Sequence, residues 1–263
     1  MSGAERRLRR LAPGERITMG RSDVPPTDER AFDFVSHAAM RDGWLHPAAS
    51  NYTFVVELAH HGAYGYGVYK PERGENPLRD FPAGLFRREC AAYELSLLLG
   101  WSVVPPTVVR DDGEFGVGSL QLFVPPMANS HYFALRDDWP DDALRLAVFD
   151  LVANNADRKA GHCFIAEASG LWAIDNGLTF HEEYKLRTVI WDFADQPVPD
   201  LLLADVDRLR VLLGERAHEG VRRLAELLEP AEMEALERRA CAVLEHPLMP
   251  GPTNRRDLPW PWM

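Results

Sequence analysis

The sequence changes character at Pro125-Pro126, and that switch constrains what the chain can fold into more than any other feature. Upstream, short β-branched and aromatic runs alternate with turn signals; downstream, apolar residues recur mainly at helical spacing. NYTFVVEL (51–58) and AYGYGVYK (63–70) predict two antiparallel strands, with His60-His61-Gly62 as the hairpin turn between them. LFRRECAAYELSLLLG (85–100) predicts one amphipathic helix that stops on Gly100. TVVR (107–110) and VGSLQLFV (117–124) predict a second hairpin turning at Asp111-Asp112-Gly113.

Beyond the switch, ALRLAVFDLVANN (143–155) predicts a helix, CFIAE and LWAID two short strands around Ser169-Gly170, and the stretch after Pro199 two helices to about Leu244. The fold class that follows is α+β, with a small N-terminal antiparallel sheet carrying one helix and a mainly helical C-terminal half. We expect residues 1–30 to form a flexible arm outside the core, ending in a short helix from about Glu29. Residues 31–125 then make the first lobe, 126–248 the second, and 249–263 a proline-rich tail.

With 263 residues, 46% of them hydrophobic, the chain can bury one large core or two lobes sharing a cleft. Its 29 Lys+Arg against 40 Asp+Glu leave a formal charge of −11, which disfavours nucleic acid or anionic lipid as a partner. Cys90, Cys163 and Cys241 form no CxxC and read as buried, reduced thiols. The basic N-terminus has no apolar stretch after it, and no run approaches the length of a membrane span. A cytoplasmic location without stable membrane insertion is the expectation.

Polar residues concentrate where a structural loop would not need them. LVANNADRKAGHCFI (151–165) sets Asn, Asp, Arg and His between an apolar helix and an apolar strand. Asp157 is placed to orient an attacking hydroxyl, and Arg158 to pair with it or with a phosphate. Asn154 or Asn155 either caps a backbone turn or reaches substrate. Asp175 follows LWAI and precedes Asn176-Gly177; it is either a turn residue or a carboxylate projecting from a strand end toward a metal. Upstream, Lys70 ends a strand and Glu89 lies on the next helix, an order that suits a cation holding phosphates and the acid that positions it.

Asn155-Ala156-Asp157-Arg158 and Ile174-Asp175-Asn176-Gly177-Leu178-Thr179-Phe180 resemble the catalytic and metal segments of the phosphatidylinositol 3-/4-kinase-related superfamily. The similarity is greatest to the type II phosphatidylinositol 4-kinases and an actinobacterial kinase-like group, and it spans roughly Ala48 to Leu213. The resemblance implies a two-lobed protein-kinase-like fold and an ATP-dependent kinase acting on an alcohol group, with Mg²⁺ or Mn²⁺ as cofactor. It implies that Lys70 binds phosphates, Glu89 anchors Lys70, Asp157 and Arg158 serve the transfer, and Asp175 binds metal. Ser50 and Asn51 would lie in the phosphate-covering turn, and Gln121, Phe123 and Val124 at the hinge that meets adenine.

The sequence departs from that family in two ways. His162 stands where such kinases place an Asn as second metal ligand, which points to a Mn²⁺-tolerant site, a ligand role passed to Asn155, or weakened catalysis in a regulatory pseudokinase. The loop PERGENPLRDFPAG (71–84) also lacks the cysteines through which the lipid kinases reach membranes. The acceptor implied is therefore a protein or soluble small molecule, with phosphatidylinositol as the alternative.

Overall fold

His61 and Gly62, with φ of 47° and 85°, connect two strands that pair from Phe54↔Tyr69 to His60↔Ala63. Positive φ at both central residues matches the twist of a tight hairpin, so the predicted turn forms but is one residue shorter, with His60 held in the strand. The computed structural model describes residues 8–11, 19–20, 22–46, 51–166 and 170–263, and they fall into two units. Unit 1 comprises Met1–Cys90 with Pro105–Val124, and unit 2 comprises Ala91–Val104 with Pro125–Met263.

Unit 1 is a six-stranded sheet ordered β1-β2-β3-β4-β6-β5, from β1 (Leu8–Arg9), β2 (Ala39–Leu45), β3 (Phe54–His60), β4 (Ala63–Pro71), β5 (Thr107–Gly113) and β6 (Gly116–Leu122). Only β1 against β2 is parallel; the other pairs are antiparallel. Helix α1 (Ala31–His37) buries Ala31, Phe34 and Val35 in a core with Val56 and Leu58 of β3 and Leu120 and Leu122 of β6. Arg110 of β5 donates through Nη1 to the carbonyls of Val35 (2.8 Å) and Ala38 (3.0 Å), satisfying acceptors that the helix end leaves open.

Three expectations in this unit need correction. Strand β2 is absent from the sequence reading because AMRDGWL alternates poorly; a register shift between Met40 and Gly43 absorbs the irregularity. Gly43 is needed there, since an added Cβ would stand 2.6 Å from the Val55 carbonyl. The second hairpin turns beyond Gly113 rather than at Asp111-Asp112-Gly113: those residues stay in β5, and Gly116 takes φ 91°. Val24, expected outside the core, is buried in it; the backbone bond from Asp23 N to Tyr64 O (2.8 Å) ties its segment to β4.

Helix α2 (Leu85–Leu98) begins in unit 1 and continues into unit 2. Unit 2 holds the short α3 (Tyr132–Leu135), α4 (Pro140–Ala153), the hairpin β7 (Cys163–Ala166) and β8 (Gly170–Ala173), then α5 (Asp200–Gly214), α6 (Glu219–Leu227) and α7 (Pro230–Glu245). The region after Pro199 is thus three helices rather than two, because Pro230 at the first helical position starts α7 just after α6 ends. Leu146, Phe149 and Val152 of α4 pack in one core with Leu209 of α5, Leu236 of α7 and Phe180. The tail is not wholly irregular, since Arg255–Asp257 forms a 3-10 turn capped by the Asn254 side chain on Arg256 N (2.8 Å).

Candidate active site

Helix α4 ends on Asn154, whose φ of 55° turns the chain out of the helix; Asn tolerates this left-handed conformation better than most residues. Its amide nitrogen donates to the carbonyls of His181 (2.9 Å) and Glu183 (2.6 Å), and its amide oxygen accepts from Lys185 N (2.8 Å). Asn154 therefore caps the helix end. Asn155 sits just inside: its amide oxygen accepts from Asp157 N (2.9 Å) and its amide nitrogen donates to Asp150 (3.1 Å), which shapes the turn presenting Asp157.

Arg158 holds this loop to the segment around Asp175. Its side chain and that of Asp150 are both 0% exposed. The Arg158 Nε and Nη2 donate to Asp150 at 2.9 Å each, Nη2 also reaches Asn176 Oδ1 (2.7 Å), and Nη1 reaches the Ile174 carbonyl (2.9 Å). Burial favours the neutral guanidine, but the Asp150 carboxylate and its hydrogen bonds outweigh that and hold the guanidinium charged. Its hydrogen bonds thus reach α4 and both residues flanking Asp175, so Arg158 acts as framework and is withdrawn from solvent.

Framed in this way, Asp175 lies near enough to Asp157 to raise the cost of ionising it. Burial pushes the Asp157 carboxyl above its ordinary range, Lys159 Nζ at 2.9 Å pulls it back, and the Asp175 charge adds to the rise. Asp175 adopts φ 59° two residues beyond β8, and its side chain is 51% exposed. His162, on the 3-10 turn Ala160–His162, places Nε2 3.2 Å from Asp175 Oδ2. Cys163, next in sequence, is inert: burial pushes its thiol up to about 12. Cys90 is buried too, whereas Cys241 is only partly so.

The loop is also gripped by the chain's last residues. Ala160 N donates to the Trp262 carbonyl (2.7 Å), Thr188 N to the Asp257 carbonyl (3.0 Å), and Arg158 N and Val189 N exchange bonds with Arg187 O and Arg158 O (3.0 Å each). In unit 1, Lys70 of β4 is ion-paired with Glu89 of α2. Asn51 accepts from Asn76 N (3.0 Å) through its amide oxygen, and Gln121 is buried with its amide on Thr107 Oγ1 (2.9 Å). Phe123 N donates to Tyr66 O (2.9 Å), and Val124 is buried. Ser50 lies outside the described residues.

No family model matches the chain. Protein Rv2133c of Mycobacterium tuberculosis (strain ATCC 25618 / H37Rv) is 38% identical to it over 266 residues, covering 86% of this chain and 94% of the relative. The chain belongs to the Rv2133c family. A solved Golgi casein kinase with Mn and ADP bound is similar at TM-score 0.54 and 13% identity, over 84% of this chain and 76% of that one. Another Golgi casein kinase structure is similar at TM-score 0.51 and 14% identity, over 84% and 75%. This member of the Rv2133c family therefore has a kinase-like fold, with an N-terminal sheet and a mostly helical C-terminal part.

Asp150, Asn176, Lys159 and the tail's carbonyls did not stand out in the sequence. One signal was available: Asp150 interrupts the apolar face of ALRLAVFDLVANN, and a charge in that position needs a buried partner.

Proposed function

We propose that this protein is an ATP-dependent phosphotransferase that moves the γ-phosphoryl group to a hydroxyl of a protein or soluble small molecule, in the manner of the phosphatidylinositol 3-/4-kinase-like enzymes. One observation carries the reading: Asp157 and Asp175, eighteen positions apart, act on one another electrostatically while a single buried arginine fixes the segments that bear them. Asp157 orients the acceptor hydroxyl and, with its raised affinity for a proton, is suited to receive it. Lys159 beside it offers a positive charge to the transferred phosphoryl oxygens. Lys70, fixed by Glu89, binds the nucleotide phosphates, with Ser50, Asn51, Gln121, Phe123 and Val124 contributing to the nucleotide site.

The donor set fits a divalent cation: Asp175 supplies the carboxylate oxygens that Mg²⁺ takes, and His162 a nitrogen that Mn²⁺ accepts more readily, while the buried Asn155 amide oxygen, which accepts from Asp157 N, has only its second lone pair to offer. Such a cation supplies neutralisation of charge on the phosphate oxygens. The Golgi casein kinase with Mn and ADP bound is a solved example of nucleotide and metal in a related fold. A soluble acceptor accords with the −11 charge, and among the described residues no helix is long and apolar enough to cross a membrane.

The test is incubation of the full chain with labelled ATP and Mg²⁺ or Mn²⁺ against a protein extract, a small-molecule pool and phosphatidylinositol vesicles. We expect label in one of the first two and loss of turnover in both Asp157→Ala and Asp175→Ala; turnover retained in both variants overturns the proposal. Label in lipid alone assigns the acceptor to phosphatidylinositol. The His162–Asp175 contact of 3.2 Å favours a second reading, a nucleotide-binding pseudokinase. It predicts a thermal shift with ATP that needs no metal and no phosphate release.

A further inference from the structure

We propose that Asp33, His37 and His60 form a binding site in unit 1 for a late first-row divalent ion of the Zn²⁺ class, independent of the phosphotransfer reading. Helix α1 buries Ala31, Phe34 and Val35, so positions 33 and 37, one turn apart, share a face away from that core. His60 ends β3 immediately before the His61-Gly62 turn, and its pairing with Ala63 fixes its backbone. The fold thus sets one ligand of the hairpin against two of the helix. Sequence spacing does not disclose this, because His37 and His60 are twenty-three positions apart with no recognised ligand motif.

The distances suit a small ion. His37 Nδ1 lies 2.9 Å from Asp33 Oδ1, His60 Nε2 lies 3.6 Å from Asp33 Oδ2, and one ligand atom from each residue falls within 4.8 Å of the others. Metal–ligand bonds of about 2.0–2.1 Å in a tetrahedron place donors roughly 3.3 Å apart. The two separations, which run to different oxygens of Asp33, bracket that value; His37 Nδ1 also lies 3.1 Å from the Asp33 backbone carbonyl, so a metal at Nδ1 takes the place of the proton shared there. The imidazole rings lie 5.9 Å apart and 27° from parallel. Two imidazoles and one carboxylate favour Zn²⁺, Ni²⁺ or Cu²⁺ over Mg²⁺.

Exposure fits a site filled from solution and completed by water. The Asp33 and His37 side chains are each 63% exposed, whereas His60 is 22% exposed and serves as the anchored ligand. Bound metal would cross-link α1 to the β3–β4 hairpin and stabilise the folded chain by mass action. His61, with its ring 4.1 Å from that of His60, adjoins the site as a non-ligand control.

The test is calorimetric titration of the chelator-treated full chain with Zn²⁺, and absorption spectroscopy with Co²⁺. We expect one tight Zn²⁺ per chain and a visible Co²⁺ band, retained in the double variant Asp157→Asn/Asp175→Asn, which separates this site from the proposed catalytic one. His37→Ala and His60→Ala should each weaken Zn²⁺ binding at least about a hundredfold, the upper range for losing even an outer partner of a ligand, while His61→Ala keeps it. His60→Asn serves should His60→Ala not fold, as judged by circular dichroism. Absence of binding, binding unchanged in both histidine variants, or loss of binding in the Asp157/Asp175 variant overturns the proposal.

Discussion

Two acid–base pairs, Asp150–Arg158 in unit 2 and Lys70–Glu89 in unit 1, carry the chain's buried charge near its candidate chemistry, and they are built differently. Asp150–Arg158 is wholly buried and multiply bonded: α4, Asn155, Asn176 and the Ile174 carbonyl all join it. Lys70–Glu89 links one strand to one helix, and the lysine side chain stays 22% exposed. A buried pair of this kind costs desolvation and repays it only through complete hydrogen bonding, so its use is to fix geometry. The Lys70–Glu89 pair is also largely buried, Glu89 being 5% exposed, but its cation keeps a partly solvated face. The first builds a framework, and the second holds a lysine at the edge of solvent.

The strongest way to break that contrast is Asp150→Ala. It leaves the Arg158 guanidinium buried beside Asn176 without its counter-ion, and we expect a loss of about 3–5 kcal/mol in urea denaturation. A loss under 1 kcal/mol would mean the frame tolerates solvent and is no framework. Arg158→Met with Asp150→Leu, which removes both charges, should recover much of that loss.

Asp157→Asn probes the group the frame presents. ATP turnover, measured by phosphate release, should fall about a hundredfold or more, the usual size of a general-base contribution. Stability should move the other way. The folded carboxyl binds its proton more tightly than the unfolded one, so the parent loses stability as pH rises from the unfolded pKa through the folded one. The variant should therefore be the more stable at pH 7, and the gap should close below about pH 4, where Asp157 is protonated in both states. Denaturation at both pH values decides it.

Glu89→Gln should cost about 1–3 kcal/mol of stability, less than Asp150→Ala because water reaches the 22% exposed Lys70, and on the proposed function it should weaken nucleotide binding by misplacing that lysine. Equal losses for Glu89→Gln and Asp150→Ala would erase the contrast. Smallest of all, removal of Trp262 and Met263 takes away the carbonyl that accepts from Ala160 N. The expected cost is about 1 kcal/mol or less, with faster hydrogen exchange at Ala160 as the direct readout.

Local pattern reached far along this chain. The β3–β4 hairpin, α2 with its stop near Gly100 and α4 were readable because turn residues and apolar periodicity act within a few positions. Strand β2 escaped because a bulge breaks its alternation, and the second turn was misplaced because the turn chemistry of Asp-Asp-Gly appears as a register shift between Arg110 and Gly113 within the pairing. The polar loop 151–165 stood out by composition. Which of its asparagines caps the helix did not, since that depends on His181, Glu183 and Lys185 arriving from further along the chain.

What the sequence determined by itself is the order of elements and the identity of the chemical groups: a lysine on a strand, a glutamate on a helix, and an aspartate on each of two loops. Only the tertiary structure decided which charged groups meet which partners. Arg158, read from sequence as a partner for Asp157 or a phosphate, becomes a buried framework because Asp150 lies eight residues earlier on α4 and Asn176 eighteen later beyond β8. His60 likewise becomes a neighbour of Asp33 and His37 only when α1 packs beside β3. Secondary structure follows from short-range sterics and periodicity, but a buried charge's partner is set by which distant segments share its low-dielectric surroundings.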